Sequence, residues 1–199
     1  MHRLALLFAT LISLSVHAET ITGFVTDIAD GDTLTILDSS KRQVKVRLAG
    51  IDAPEKGQPF GNRSKNNLAD LVFNKTIMVE AEKQDRYGRT IGKVFHSGKD
   101  INLLQVRAGL AWWYEKYRKE QSPADQRLYQ DAEQQARAQR VGLWSDPAPV
   151  APWDFRHPES GVVQAKTSTC PCGNEPLCVG PKGGHYCLTP DGTKRYKQQ

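Results

Sequence analysis

Five short runs of β-branched and apolar residues, with one helical pattern inserted after the third, limit what this chain can fold into. Thr20–Ile28 and Thr33–Leu37 come first, separated by Asp30-Gly31-Asp32, and Asp-Gly is a strong hairpin-turn signal. Gln43–Leu48 alternates, with Val44, Val46 and Leu48 on one face and Lys45 and Arg47 on the other. That is the period of a third strand. Thr76–Glu80 and Thr90–Phe95 read as the fourth and fifth. Between the third and fourth, beyond Pro59, Leu68, Leu71 and Val72 recur at helical spacing.

Two more helices follow. Asp100 is placed to cap a turn carrying Ile101, Leu104 and Val106 that stops at Gly109. Ser122-Pro123-Ala124-Asp125 opens the next, with Ser at the cap, Pro at the first position and Asp against the positive end of the dipole. Leu128, Ala132 and Ala136 are expected along its buried face. Gly142-Leu143-Trp144 ends the element and is expected to return an indole to the core. This order predicts an α+β fold that is mainly β: a five-stranded OB-fold barrel with about three helices.

The flanks of residues 19–145 read differently. Met1-His2-Arg3 is basic, Leu4–Val16 is almost wholly apolar, and Val16-His17-Ala18 offers small residues at a cleavage site. These are the three parts of a secretory signal peptide, 1–18, with cleavage expected after Ala18. Thirteen helical residues reach about 20 Å, short of the roughly 30 Å of a bilayer core. The mature chain is therefore expected to be exported, periplasmic or secreted, off the membrane and monomeric. After Trp144, Pro147, Pro149, Pro152 and Pro158 crowd a segment without periodicity, so 146–169 reads as an extended linker that packs partly on the domain.

All four cysteines, Cys170, Cys172, Cys178 and Cys187, fall in the tail, 170–199. In an oxidising compartment such a set reads as two disulfides. Bonding Cys170 to Cys172 would close a strained ring, so each is expected to pair with Cys178 or Cys187. Zinc with His185 as a spare ligand is a weaker match, because the spacing lacks a C-x-x-C knuckle. The tail also mixes glycine, basic and aromatic residues in Gly180–Tyr186 and Gly192–Tyr196. A phosphate-seeking module and a plain stapled cap fit it equally.

Formal net charge is +5, which favours an acidic partner such as nucleic acid but does not require one. Chemistry concentrates in Asp30-Gly31-Asp32-Thr33 and Arg47-Leu48-Ala49-Gly50-Ile51-Asp52-Ala53-Pro54-Glu55. Four carboxylates and an arginine stand there at strand ends and turns. A hard cation needs such oxygen ligands, and phosphodiester cleavage needs charge-offsetting groups and a base for water.

These two segments, followed in order by Asp85-Arg86-Tyr87-Gly88-Arg89, Val106-Arg107-Ala108-Gly109-Leu110-Ala111 and Gly142-Leu143-Trp144, resemble the staphylococcal-nuclease family over about residues 20–145. The resemblance implies a calcium-dependent (Ca2+) nuclease acting on DNA, with RNA left open, and yielding 3′-phosphate ends. It assigns Asp32, Asp52 and the carbonyl of Ala53 to the metal, Arg47 and Arg89 to the scissile phosphate, and Glu55 to the attacking water. Tyr87 matches a tyrosine beside a nucleotide phosphate. Ala53 departs from the family archetype, which has Thr there, so a hydroxyl is lost while the carbonyl is kept. Glu115 falls near the archetype's base-stacking tyrosine. Trp113, Tyr114 and Tyr117 are the candidates for that stacking, and Tyr87 and Tyr117 are taken as the substrate-binding pair. His96 and His157 have no partners at ligand spacing. The rival is a silent barrel that only binds nucleic acid or protein. Such a barrel should have lost some of Asp32, Arg47, Asp52, Glu55 and Arg89, yet all five are present.

Overall fold

The computed structural model describes residues 19–157, 172, 178–179, 185–189 and 194–196. The expected signal peptide, Cys170, most of the expected linker beyond His157 and most of the tail lie outside them. The chain forms two compact units, one ending at Arg156 and one beginning at His157.

In the first unit, β1 (Glu19–Ile28), β2 (Thr33–Asp38) and β3 (Gln43–Leu48) form an antiparallel meander. β4 (Ile51–Asp52) and α1 (Gly61–Val72) precede β5 (Thr76–Gln84) and β6 (Thr90–His96), and β5 pairs with both β1 and β6. The sheet closes where β3 pairs parallel with β6 through Val46–Thr90, Arg47–Ile91 and Leu48–Gly92. Register shifts in β1 between Val25 and Asp27 and in β5 between Ala81 and Lys83 supply the local bends that closure needs. The expected five-stranded OB barrel is present.

Its interior holds Val25, Leu34, Ile36, Val46, Val79 and Val94, each 0% exposed, drawn from the strand faces that alternation marks. Burying each such side chain stabilises the fold by roughly 1.5–3 kcal/mol. Leu68 and Val72 of α1 close one end.

A short β7 (Lys99–Asp100) leads into α2 (Ile101–Arg107), capped as expected by Asp100, whose carboxylate accepts from the Leu103 amide at 2.9 Å. β8 (Trp112–Trp113) pairs with β4, setting Trp112 opposite Asp52 and Trp113 opposite Ile51. α3 (Pro123–Ala138) begins at the Ser122 cap. Its buried residues are Tyr129, Ala132 and Ala136. Leu128 is 47% exposed, against expectation. One residue turns a helix by about 100°, and Tyr129, one position on, takes the inward place because its hydroxyl finds a partner. That hydroxyl donates to both oxygens of Asp100, at 2.9 and 3.1 Å.

Gly109 and Gly142 explain why two distant landmarks occur together. A Cβ on Gly142 would lie 2.1 Å from the Gly109 carbonyl oxygen, and the Leu143 amide donates to that same oxygen at 2.8 Å. The two backbones touch, and Trp144 follows into a second cluster with Trp112, Ala136, Leu143 and Ala151. A fourth helix, α4 (Pro152–Arg156), forms inside the stretch expected to be a linker.

In the second unit, β9 (Cys178–Val179), β10 (His185–Leu188) and β11 (Lys194–Tyr196) form a small antiparallel sheet. A disulfide joins Cys172 to Cys187, one of the pairings the spacing permits.

Tyr129→Phe keeps the buried ring but removes the hydrogen bond to the Asp100 carboxylate. Its loss should cost about 1.5–3 kcal/mol, read as a lower urea midpoint with an unchanged slope. An unchanged midpoint would mean that packing alone holds α3.

Candidate active site

The β1–β2 turn is an Asx turn, with Asp30 Oδ1 accepting from the Asp32 amide at 3.0 Å. It is drawn tight against the rest of the domain. A Cβ on Gly31 would lie 1.8 Å from Ser64 Oγ and 2.8 Å from Ala53 Cβ, so only glycine fits. Gln105, fully buried on α2, donates to the Gly31 carbonyl at 2.6 Å and to the Ser64 carbonyl at 3.1 Å, and accepts from Asn67. Asn102 does the same for the turn after β3. It donates to the Ala49 carbonyl at 2.9 Å and accepts from the Val94 amide at 3.0 Å. Two amide side chains on one helix thus hold both acidic loops.

The loops bring the expected residues together. Asp32 is 5% exposed and Asp52 1%. Asp32 Oδ2 accepts from the Ala53 amide at 2.7 Å, which locks the peptide of residue 53 beside it. The Arg47 guanidinium spans the pair, with Nη1 2.7 Å from Asp32 and Nη2 2.8 Å from Asp52. Burial, and then the charge of Asp32, push the Asp30 carboxyl up to about 6. Burial also raises Asp52, although Arg156 and Arg47 oppose it. Arg47 is held above its ordinary value because Asp32, Asp52 and Asp30 outweigh the opposing effect of its burial. Burial is the largest cause for both carboxyls.

Glu55 enters through a residue that the sequence reading missed. Arg156 of α4 reaches Asp52 Oδ2 with Nη2 at 2.7 Å and Glu55 Oε1 with Nη1 at 2.7 Å. It lies in an aperiodic, proline-rich segment, far from the motifs, and no local pattern marks it. Among the described residues no three His, Cys, Asp or Glu side chains are grouped so as to hold a metal ion by themselves.

Arg89 sits elsewhere on the rim. Its guanidinium holds Asp85 Oδ2 through two contacts, Nε donating a hydrogen bond at 2.7 Å and Nη2 forming an ion pair at 2.7 Å. Asp85 also accepts from the amides of Tyr87 and Arg89, at 2.9 Å each. The Asp85–Arg89 turn is thus a braced arm, and the β3–β6 pairing begins one residue later, at Thr90. Tyr87 is 73% exposed, with the Arg89 guanidinium 5.6 Å from its ring centre. Tyr117 is also exposed and meets Tyr114 edge-on at 4.9 Å. Trp113 is not available for stacking. Its ring is buried and its Nε1 donates to Gln121 at 2.8 Å. His96 faces the Thr76 carbonyl and His157 is exposed.

Two carboxylates beside the backbone of residue 53 supply hard oxygen donors of the kind a divalent cation takes. Residues 45–146 match the family described as staphylococcal nuclease homologue. The chain belongs to the staphylococcal nuclease family. A protein of Shigella flexneri named micrococcal nuclease is 44% identical over 143 residues, covering 67% of this chain and 79% of that protein. An uncharacterized endonuclease of Haemophilus influenzae is 42% identical over 135 residues, 68% of this chain and 72% of its own length. Protein ParB of Escherichia coli is 41% identical over 165 residues, 78% and 90% of the two chains. This staphylococcal nuclease homologue is a phosphodiester hydrolase that acts on nucleic acid.

Gln105→Leu should leave the Gly31 carbonyl and the Asn67 amide without their buried partner. The expected loss is about 1–3 kcal/mol of stability, with faster hydrogen exchange concentrated in residues 30–33. Uniform destabilisation without local exchange would show that Gln105 does not hold this loop.

Proposed function

We propose that this protein is an exported, calcium-dependent nuclease that cuts DNA to leave 3′-phosphate ends. The observation that carries it is the buried Asp32–Arg47–Asp52 arrangement, with the Ala53 amide bonded to Asp32 and Glu55 on the same rim. Asp32, Asp52 and the Ala53 carbonyl would hold the metal. Bound calcium would offset negative charge on the phosphoryl oxygens.

The protein's own groups do the rest. Arg47 and Arg89 each present a planar fork that binds two phosphate oxygens and stays charged at any working pH. Both are held by carboxylates, Arg47 by Asp32 and Asp52 and Arg89 by Asp85, and a phosphate would exchange with these partners. Glu55 orients the attacking water and accepts its proton. In-line attack then expels the 5′ oxygen. Tyr87, an exposed ring, would lie beside a nucleotide phosphate, and the exposed ring of Tyr117 would stack on a base, worth about 1–3 kcal/mol.

Export is supported by the signal-peptide pattern of Met1–Ala18 and agrees with the Cys172–Cys187 disulfide, a bond suited to an oxidising compartment. Among the described residues no helix is long and apolar enough to cross a membrane.

The mature protein should cleave single-stranded DNA with calcium and not with chelator, and end-group analysis should find 3′-phosphate. Glu55→Ala should abolish turnover. Arg89→Ala should slow the chemical step by about 10²–10³-fold. DNA binding without cleavage under any divalent ion would leave a silent barrel.

A further inference from the structure

The chain leaving the Gly142–Ser145 turn is fastened before it reaches α4. Gln58 Nε2 donates to the Val150 carbonyl at 2.5 Å. Ala151 is 5% exposed within the second apolar cluster. Trp153 lies flat on Tyr114, with ring centres 5.1 Å apart and planes 2° from parallel, and meets Trp112 edge-on at 5.5 Å. Trp112 is the residue paired with Asp52, and the Tyr114 amide donates to the Gly50 carbonyl at 2.9 Å. α4 is therefore docked on the ribbon that carries the metal carboxylate, and the docking delivers Arg156 to a fixed place.

At that place Arg156 engages both oxygens of Asp52, Oδ2 at 2.7 Å and Oδ1 at 3.2 Å, and Glu55 Oε1 at 2.7 Å. Arg47 holds Asp52 Oδ1 as well. Asp52 is 1% exposed and has no second face to offer. Given the metal site proposed above, the guanidinium and a divalent ion need the same Asp52 oxygen. Arg156 is the more easily displaced of the two arginines, since its side chain is 36% exposed while that of Arg47 is 14% exposed.

We propose that Arg156 is a tethered internal cation that locks the metal-free site. It occupies Asp52 and ties down one oxygen of Glu55 together, and metal entry releases both. The water-orienting carboxylate is then freed by the same event that loads the metal. Neither carboxylate is left as an uncompensated charge in the metal-free protein. The α4 strap sets metal affinity through the fraction of molecules in which Arg156 is docked, because apparent affinity falls in proportion to the competent fraction.

The probe is calcium alone, titrated calorimetrically into the full mature chain without nucleic acid. Arg156→Gln should tighten apparent calcium binding by about tenfold or more, the factor expected if nine in ten molecules are locked. Trp153→Ala changes no charge but undocks the strap, and should tighten binding in the same direction. Arg156→Lys keeps the charge and loses the fork, so it too should bind calcium more tightly than the unaltered protein. If Lys matches the unaltered protein and Trp153→Ala has no effect, the influence of Arg156 is long-range repulsion and the lock is wrong. Weaker binding in Arg156→Gln would also overturn it, since Arg156 would then be helping to shape the site. Asp52→Ala separates the levels. If it binds calcium as the unaltered protein does, the metal site itself is misplaced and the lock falls with it. If it loses calcium while the Arg156 and Trp153 variants keep the original affinity, the metal site stands and only the lock fails.

Discussion

Two carboxylates in a barrel wall, Asp32 at 5% and Asp52 at 1% exposure, need positive charge beside them. Removing an ionised group from water costs several kcal/mol unless a well-placed partner compensates it. The compensation comes first from Arg47, whose fork reaches both. That single bridge ties the start of β2, the end of β3 and the whole of β4 into one arrangement. The rest of the domain is organised to keep it in register. The parallel closure of β3 on β6 fixes the position of Arg47, and the same closure begins at Thr90, immediately after the Arg89 arm. The strand pairing that closes the barrel is thus the one that carries Arg47.

Holding the acidic loops falls to polar residues inside the apolar layer. Asn102 and Gln105 are both fully buried, and each answers backbone carbonyls that no strand partner satisfies. Buried polar groups of this kind specify geometry more than they add stability, because each must find its partner or leave it orphaned. Gly31 completes the device by allowing the acidic turn to lie against Ser64 and Ala53. The two acidic loops are therefore held from within the core by hydrogen bonds and close packing.

How much of this can be read from the sequence follows from the range of each interaction. Strand alternation and the Asp-Gly turn are local, and they place β1, β2, β3, β5 and β6 correctly. The α2 and α3 caps are equally local. Asp32, Arg47, Asp52 and Ala53 come together because short loops of one meander carry them. Leu128 misleads because composition ranks Leu above Tyr as a core residue, while the inward position is decided by whether the Tyr129 hydroxyl meets Asp100. Arg156 is invisible for a different reason. It acts across 104 residues of sequence, from a five-residue helix whose apolar anchors contact aromatics rather than repeat along the chain. Periodicity detects faces and caps detect ends, but neither detects a single long-range charge. Gln105 leaves a weak trace, as a polar residue set in the apolar run of α2, and that trace does not say which carbonyl it serves.

The charge balance also bears on how a polyanion approaches the site. Asp30, Asp32, Asp52 and Glu55 form an acidic cluster that would repel a phosphate backbone if left bare. Arg47 and Arg156 reduce that repulsion in the metal-free protein, and Arg89 is paired with Asp85 on the rim. A surplus of +5 over the whole chain gives general attraction to nucleic acid, screened beyond about 10 Å at moderate salt. It bears less on Asp32 and Asp52, which are buried and neutralised by their own arginines. A phosphate would have to compete with the carboxylates for these arginines, and a cation would have to compete with the arginines for the carboxylates, so either ligand must break the same pairs.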